Sequence, residues 1–232
     1  MVHTAFIHDF SDFAHSVEVD LRAVQAIAET LAGTDRPFVL SSGTPGLPGG
    51  VATEDSVPDP ASPAAARGGV EEALLAFADR GVRCSVVRLP RSVHGEGDLH
   101  GFVPQLIDIA RKRGVSAYPG DGAGRWPAVH RLDAALLYRL ALEHAPAGTR
   151  LHAVGDEGVP VREIVEHIGK HLNLPVSAIP VEQSAEHFGW FGAVLAMDQP
   201  ASSVITRKLL DWHPTRPGLL ADIDAGHYFT RR

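Results

Sequence analysis

The strongest constraint on this chain is an alternation: segments of helical period trade places repeatedly with short apolar runs bounded by turn residues. Phe13, Val17, Leu21, Val24, Ala28 and Leu31 recur at three- and four-residue spacing, which predicts a helix over 11–32 stopped by Gly33. Buried strands are expected at 37–42 (PFVLSS) and 82–89 (VRCSVVRL), with a helix over 64–80 between them and a polar, glycine-rich loop running on to Gly101. The pattern continues with a helix at 103–113, a strand near 115–118, a helix at 133–144, a strand at 151–154 and a helix at 161–172. Beyond Pro175 come short helical pieces, the aromatic cluster Phe188, Trp190 and Phe191, and a Trp-His-Pro-Thr turn. Strands joined by helices of this length form parallel βα units with right-handed crossovers, so the expected class is α/β.

Composition excludes several function classes. The 232 residues, 44% of them apolar, suffice for a large core, but 21 Lys+Arg against 28 Asp+Glu leave a net charge of −7. A nucleic-acid binder needs a basic face instead. No apolar run reaches the ~18 residues of a membrane span. His3, His8 and Asp9 at the start do not resemble a secretory signal. A single cysteine, Cys84, rules out an internal disulfide and any multi-cysteine zinc site, and its place inside a strand marks it as core. A cytoplasmic setting, without nucleic acid or membrane, is the expectation.

Two segments invite a ligand reading. Residues 43–49 (GTPGLPG) match G-x-x-G-x-x-G after a strand. A dinucleotide turn, however, needs a helix N-terminus directly behind it to hold the pyrophosphate. Residues 51–63 instead carry three prolines and three acidic residues, so a plain loop is expected. The second segment, His94-Gly-Glu96-Gly-Asp98-Leu-His100, places possible metal ligands at alternate positions. Its glycines favour a loop, in which alternation no longer puts those side chains on one face. A loop facing cofactor or substrate and a solvated connection remain the alternatives to metal, and no metal site is assigned.

The pieces MVHTAF, FVLSSGT, VVRLPRSVHG, WPAVHRLDAA and DWHPT, in that order, resemble the atypical or extended short-chain dehydrogenase/reductase superfamily, in particular its NAD-dependent epimerase/dehydratase-like members. The resemblance implies a truncated Rossmann-like sheet over residues 1–95 and a mixed substrate-binding region over 96–232. It implies an NAD or NADP cofactor, a small hydroxylated or carbonyl substrate such as a nucleotide sugar, and by analogy a homodimer. Two departures stand out. The family's opening βαβαβ has no counterpart, which predicts about 70 further residues upstream. The Tyr-x-x-x-Lys pair is also missing: one register puts Pro63 and Arg67 there, another Ala64 and Gly68. A catalytically silent dinucleotide-sensing module is therefore the alternative reading.

By the same resemblance Ser42 takes the place of the active-site hydroxyl, Arg67 the surviving cation, and His94 the remaining proton donor. His3, Ala5, Phe6, Ser41, Thr44, Pro90 and Arg91 would border the cofactor, and Arg125, Trp126 and His130 the substrate. Local roles compete with these: a loop-satisfying Ser42, an exposed helical Arg67, a surface turn at Arg125–Trp126, a locally bonded His130, and Asp133 as a helix cap. Of the tyrosines, Tyr118 precedes a turn and Tyr138 lies within a helix. Tyr228 opens a Tyr-x-x-x-Arg beside the chain end, where catalytic geometry is not expected.

Overall fold

Four short strands, β1 (Val2–His3), β2 (Pro37–Gly43), β3 (Arg83–Leu89) and β7 (Thr149–His152), lie side by side in that order, every neighbour parallel. The computed structural model describes residues 1–8, 12–47, 49–60 and 64–230. Pro48 in the glycine-rich stretch, Pro63 at the tyrosine position and Arg232 in the tail fall outside them.

Each strand presents alternate residues to opposite faces, and the two faces are covered by different helices. Phe38 and Leu40 of β2 pair across with Cys84 and Val86 of β3 and pack beneath α1 (Phe13–Leu31) and α2 (Ala64–Leu75). Cys84 is a core residue, its thiol pKa raised by burial. Helix α1 starts where the Asp12 carboxylate accepts from the His15 N–H, at 3.3 Å, and runs its Val17–Val24–Ala28–Leu31 stripe onto the sheet. The predicted helix over 64–80 divides: α2 ends at Leu75 and Ala76–Arg80 tighten into a 3₁₀ turn. Gly81, at φ +73°, then sends the chain into β3. On the opposite face Val39, Val87 and Leu151 meet Ala134, Leu137 and Ala141 of α4 (Arg131–His144), with Trp212 closing the layer.

The second half builds a separate core. Strand β4 (Ser92–His94) pairs parallel with β6 (Arg125–His130), which pairs antiparallel with β8 (Asp156–Pro160); β5 (Ser116–Pro119) pairs parallel with β9 (Val176–Ile179). Around them α3 (Phe102–Arg113), α5 (Val161–Leu172) and α7 (Phe191–Leu195) bury Val103, Ile107, Trp126, Ile164, Ile168 and Phe191. The chain finishes in α8 (Val204–Leu210) and α9 (Leu219–Asp224).

Asp133 does not cap α4, contrary to the sequence expectation. His130 does: its Nδ1 accepts from the Leu132 N–H at 3.2 Å. The Asp133 carboxylate, buried, instead accepts from the backbone N–H groups of Thr215 and Arg216 at 3.2 and 2.9 Å, while Trp212 Nε1 donates to the Asp133 carbonyl at 3.1 Å. The Trp-His-Pro-Thr turn is thereby tied to the helix that covers the sheet. Among the described residues no helix is long and apolar enough to cross a membrane.

Candidate functional site

Open parallel sheets collect ligands at the carboxyl ends of their strands. There, five elements converge on one polar cluster. His3 Nε2 of β1 bonds Asp20 Oδ1 of α1 at 2.8 Å, and Arg67 Nη2 of α2 lies 3.9 Å from Asp20 Oδ2. The same Nη2 donates to the Ser41 carbonyl at 2.8 Å, and Ser41 Oγ shares a 2.6 Å hydrogen bond with Tyr138 Oη of α4. The guanidinium carbon of Arg67 sits 4.1 Å from the centre of the Phe6 ring. Burial lowers the Arg67 pKa, opposed by Asp20, Glu71 and Tyr138; burial raises that of Tyr138, opposed by the Ser41 hydrogen bond and by Arg67. Asp20 Oδ2 and Arg67 Nε are buried with no hydrogen-bond partner. Beside them a groove of about 210 Å³ is bounded by His3, Ala5, Phe6, Ile7, Val19 and Asp20.

Arg67 is therefore not the exposed helical arginine that was one of its two readings. His3, Phe6, Ser41 and Arg67, singled out from the sequence, do come together. Asp20 and Tyr138 were missed. Asp20 had left a signal, since a carboxylate at i+4 from Ser16 and i−4 from Val24 sits on the stripe a helix buries. Tyr138 left none, because only the tertiary packing of α4 on β2 brings it to Ser41.

Ser42 faces the other side of the sheet. It pairs across with Arg88, and Arg88 with His152, so the three form a buried row under α2. Arg88, 1% exposed, donates from Nε and Nη2 to Glu71 Oε2 at 2.9 and 2.6 Å, and from Nη1 to the carbonyls of Glu54 and Ser56 at 3.2 and 2.9 Å. This guanidinium holds the loop after Thr44 down on the sheet. The far side of that loop is stitched by the Ala52–Ala201 bridge and by Glu54 Oε1, which accepts from the Thr206 N–H and hydroxyl. No helix arises in the described residues between Gly49 and Pro60, in line with the plain-loop reading of GTPGLPG.

His152 Nδ1 lies 2.8 Å from the Ser202 carbonyl, which can only accept, so Nδ1 carries the proton and Nε2 is a buried lone pair without a partner. Burial holds this imidazole below the usual histidine range, Arg88 adding to the effect and Glu54, the Ser202 hydrogen bond and Glu71 opposing it. A histidine whose folded-state pKa is depressed contributes stability that is complete above the unfolded value of about 6.5 and is lost as pH falls below it. Burial lowers His130 and His187 in the same direction. Melting temperature should therefore drop between pH 7.5 and 5.5, and His152→Gln should flatten that slope. Parallel Tm–pH curves for the two proteins would contradict the assignment.

At the end of β3 the chain passes Pro90 to Arg91. This guanidinium donates to Met197 Sδ at 3.8 Å and lies 5.9 Å from the Trp126 ring centre, and among the described residues no carboxylate pairs with it. Burial lowers its pKa to about 10. Trp126 is 0% exposed, wedged between Phe102 and Phe191, so the substrate contact expected of it gives way to a core position. Arg125 is neither core nor unpaired: it clamps Asp198 with Nε and Nη2 at 2.9 and 2.8 Å.

His94 belongs to β4 and not to the expected loop. It is completely buried, its Nδ1 2.9 Å from Asp222 Oδ2 of α9, and its ring stands edge-on to His130, centres 5.5 Å apart. Gly95, at φ +136°, keeps the next turn open: a Cβ there would stand 3.0 Å from His130 Nε2. The tail is better anchored than its position implied, since Tyr228 Oη accepts from the Gly95 N–H at 3.1 Å and donates to Asp98 at 3.3 Å. A second cavity, of about 230 Å³, lies here among Glu96, Asp98, Asp108, Arg111, His227 and Tyr228. Three carboxylates make it a poor host for phosphate. Among the described residues no group of three or more His, Cys, Asp or Glu is arranged to hold a metal ion.

No protein-family model matches the chain. Solved structures of similar fold include MoeE5 in complex with UDP-glucose and NAD (TM-score 0.72, 19% identity, 97% of this chain and 75% of that one). A dTDP-glucose 4,6-dehydratase double mutant from Streptomyces venezuelae with NAD bound gives 0.76 and 19% over 96% and 71%. UDP-glucuronic acid 4-epimerase from Bacillus cereus with NAD gives 0.75 and 18% over 97% and 72%. At these identities the likeness is one of fold, and the fold is Rossmann-like α/β. Closer in sequence are the uncharacterized protein YLL056C of Saccharomyces cerevisiae, 43% identical over 228 residues (98% of this chain, 76% of that protein), and the uncharacterized protein C2A9.02 of Schizosaccharomyces pombe, 47% identical over 232 residues (99% and 77%). Identity at that level across nearly the whole chain makes it a member of the family to which C2A9.02 and YLL056C belong.

Proposed function

We propose that the chain acts as an NAD(P)-dependent oxidoreductase of the epimerase/dehydratase kind on a small hydroxylated or carbonyl metabolite, a nucleotide sugar being the best-fitting class. The observation that carries this reading is the cluster of His3, Asp20, Arg67, Ser41 and Tyr138 at the carboxyl ends of β1 and β2. Supporting it, the three solved structures of similar fold named above hold NAD, and the printed name of each includes a nucleotide sugar.

The residues present fit the nucleoside part of such a cofactor. The groove beside Phe6 is largely apolar and has Asp20 in its wall, with Arg67 on the Phe6 ring next to it; Asp20 Oδ2 and Arg67 Nε are an acceptor and a donor without hydrogen-bond partners. His3, Ala5, Phe6, Asp20 and Arg67 would hold it, and bound nicotinamide would supply the hydride chemistry. The glycine run at 43–49 leads into a loop and supplies no helix N-terminus for a pyrophosphate. Arg91, a half-buried cation with no carboxylate partner among the described residues, is the group best suited to an anionic portion of the ligand. Ser41 takes the hydroxyl role in place of Ser42, which is turned beneath α2. His94 is locked to Asp222 and positions the loop that follows β4.

The second reading, a silent dinucleotide-sensing module, is favoured by α2, which offers Arg67 but, among its described residues, no tyrosine. Fluorescence titration with NADH and NADPH, followed by turnover on a panel of carbonyl compounds and nucleotide sugars, separates the two. The oxidoreductase reading expects binding in the micromolar range and turnover on a panel member. Binding without turnover would favour the sensor, and no binding of either nucleotide would sink both.

A further inference from the structure

We infer that Met197 is a redox modification site: oxidised by hydrogen peroxide to the sulfoxide, it presents an oxygen to Arg91 and competes with anions for that guanidinium. The inference goes beyond the oxidoreductase reading and shares with it only the anion role of Arg91. Met197 lies just past α7 and is 42% exposed, so a small oxidant reaches its thioether from solvent. The same sulfur accepts from Arg91 Nη2 at 3.8 Å. A thioether is a weak acceptor, and this guanidinium is poorly served: its Nε is buried without a hydrogen-bond partner. Asp198, the carboxylate next in the chain, is committed to Arg125. Its Oδ1 accepts from the Arg125 N–H and Nε, both at 2.9 Å, and its Oδ2 from Nη2 at 2.8 Å.

The backbone around the sulfur is held on both sides. The Met197 N–H donates to the Val194 carbonyl at 3.3 Å, and the Gln199 N–H to the Arg125 carbonyl at 3.1 Å, while Leu195 is fixed in the core of the second half. Rotation about the last side-chain bonds turns an oxygen bound to that sulfur toward Arg91, into the ~2.7–3.2 Å range of an N–H···O bond. In the oxidation the thioether lone pair attacks one peroxide oxygen, the S–O bond forms and the O–O bond breaks. The departing hydroxide takes the proton of the transferred hydroxyl and leaves as water. Sulfur loses two electrons and the peroxide gains them. A weak acceptor thus becomes a strong one facing a charged donor, and the bond it makes is of the charge-assisted kind.

The test treats the full chain with hydrogen peroxide, follows Met197 by peptide mass mapping, and melts the reduced and oxidised forms with and without inorganic diphosphate. Oxidation should raise the melting temperature of the wild type by about 2–4 °C, the effect of one added bond to a charged group in a chain of this size. It should also cut the rise that diphosphate produces by about half or more. Met197→Leu, in which Met1 and Cys84 meet the same oxidant, should show neither change. Arg91→Met should acquire the sulfoxide without the melting shift. Met197→Gln, which carries a carbonyl oxygen on a side chain of similar length, should melt above the wild type with no oxidant at all. Met197 left intact while Met1 is oxidised overturns the inference. So does a melting temperature that stays or falls on oxidation, a rise retained by Arg91→Met, or an undiminished diphosphate response in the oxidised form. A reduced wild type that ignores diphosphate refutes the anion role of Arg91 instead, and the melting shift then decides alone whether the sulfoxide pairs with the guanidinium.

Discussion

Arg91→Met should raise the melting temperature of the ligand-free protein. Most substitutions of a half-buried residue lower it, so the sign is diagnostic. Burial lowers this guanidinium to about 10, and among the described residues no carboxylate offsets the lost hydration; it meets the Met197 sulfur at 3.8 Å and lies 5.9 Å from the Trp126 ring centre. Removing an uncompensated charge while keeping an apolar stem of similar reach should gain on the order of 2 kcal/mol. For a chain of this size that corresponds to a shift of about 4–8 °C in a thermal melt. Inorganic diphosphate and UDP-glucose are expected to raise the melting temperature of the wild type, and the same variant should lose that response. A lower melting temperature, or an undiminished response to both anions, would refute Arg91 as an anion site held ready at a cost in stability.

The opposite sign is expected at the buried pair of Arg88, three residues earlier in the chain, with Glu71 of α2. Glu71→Ala leaves Arg88 charged, 1% exposed and facing only the Glu54 and Ser56 carbonyls. Breaking a buried ion pair from one side costs about 3–5 kcal/mol. The melt should fall by about 10 °C or more. Arg150, whose Nε is 3.6 Å from Glu71 Oε2 and whose Nη2 bonds Glu72, loses part of its anchorage as well. Because the loop after Thr44 hangs on Arg88, limited proteolysis between Ala52 and Ser56 should quicken in the variant. Replacing both partners, Glu71→Leu with Arg88→Met, should restore much of the melting temperature but not the protease resistance, since the two loop carbonyls still lack their donor. If Glu71→Ala melts within 2–3 °C of wild type, the pair is not the strut described here.

The large periodic elements were legible. Helices α1, α3, α4 and α5 and strands β2 and β3 lie within a residue or two of where spacing puts them, because each buries one continuous stripe or one apolar run. Strands β4, β8 and β9 were not legible. They are three to five residues long, β8 contains Gly158 and β9 is largely exposed, so none has a periodicity to detect. Asp133 was misassigned for a related reason: an acidic residue in a first turn suits a cap, and only the returning chain at Thr215 shows where its carboxylate is used. The site divides likewise. His3, Phe6, Ser41 and Arg67 could be named from their order along the chain. Tyr138, Glu71 and His152 could not, since their chemistry arises from cross-strand neighbours and from helices that meet only after folding.

The tie between Trp212 and Asp133 bears on how the molecule is made. Trp212 fills the layer between α4 and the four-stranded sheet, and a few residues later Leu219 and Ile223 fill the core of the second half. A ribosome delivering this polypeptide would therefore have released most of both halves before either could seal its interior. Until that stretch emerges, each half keeps an open seam of greasy surface.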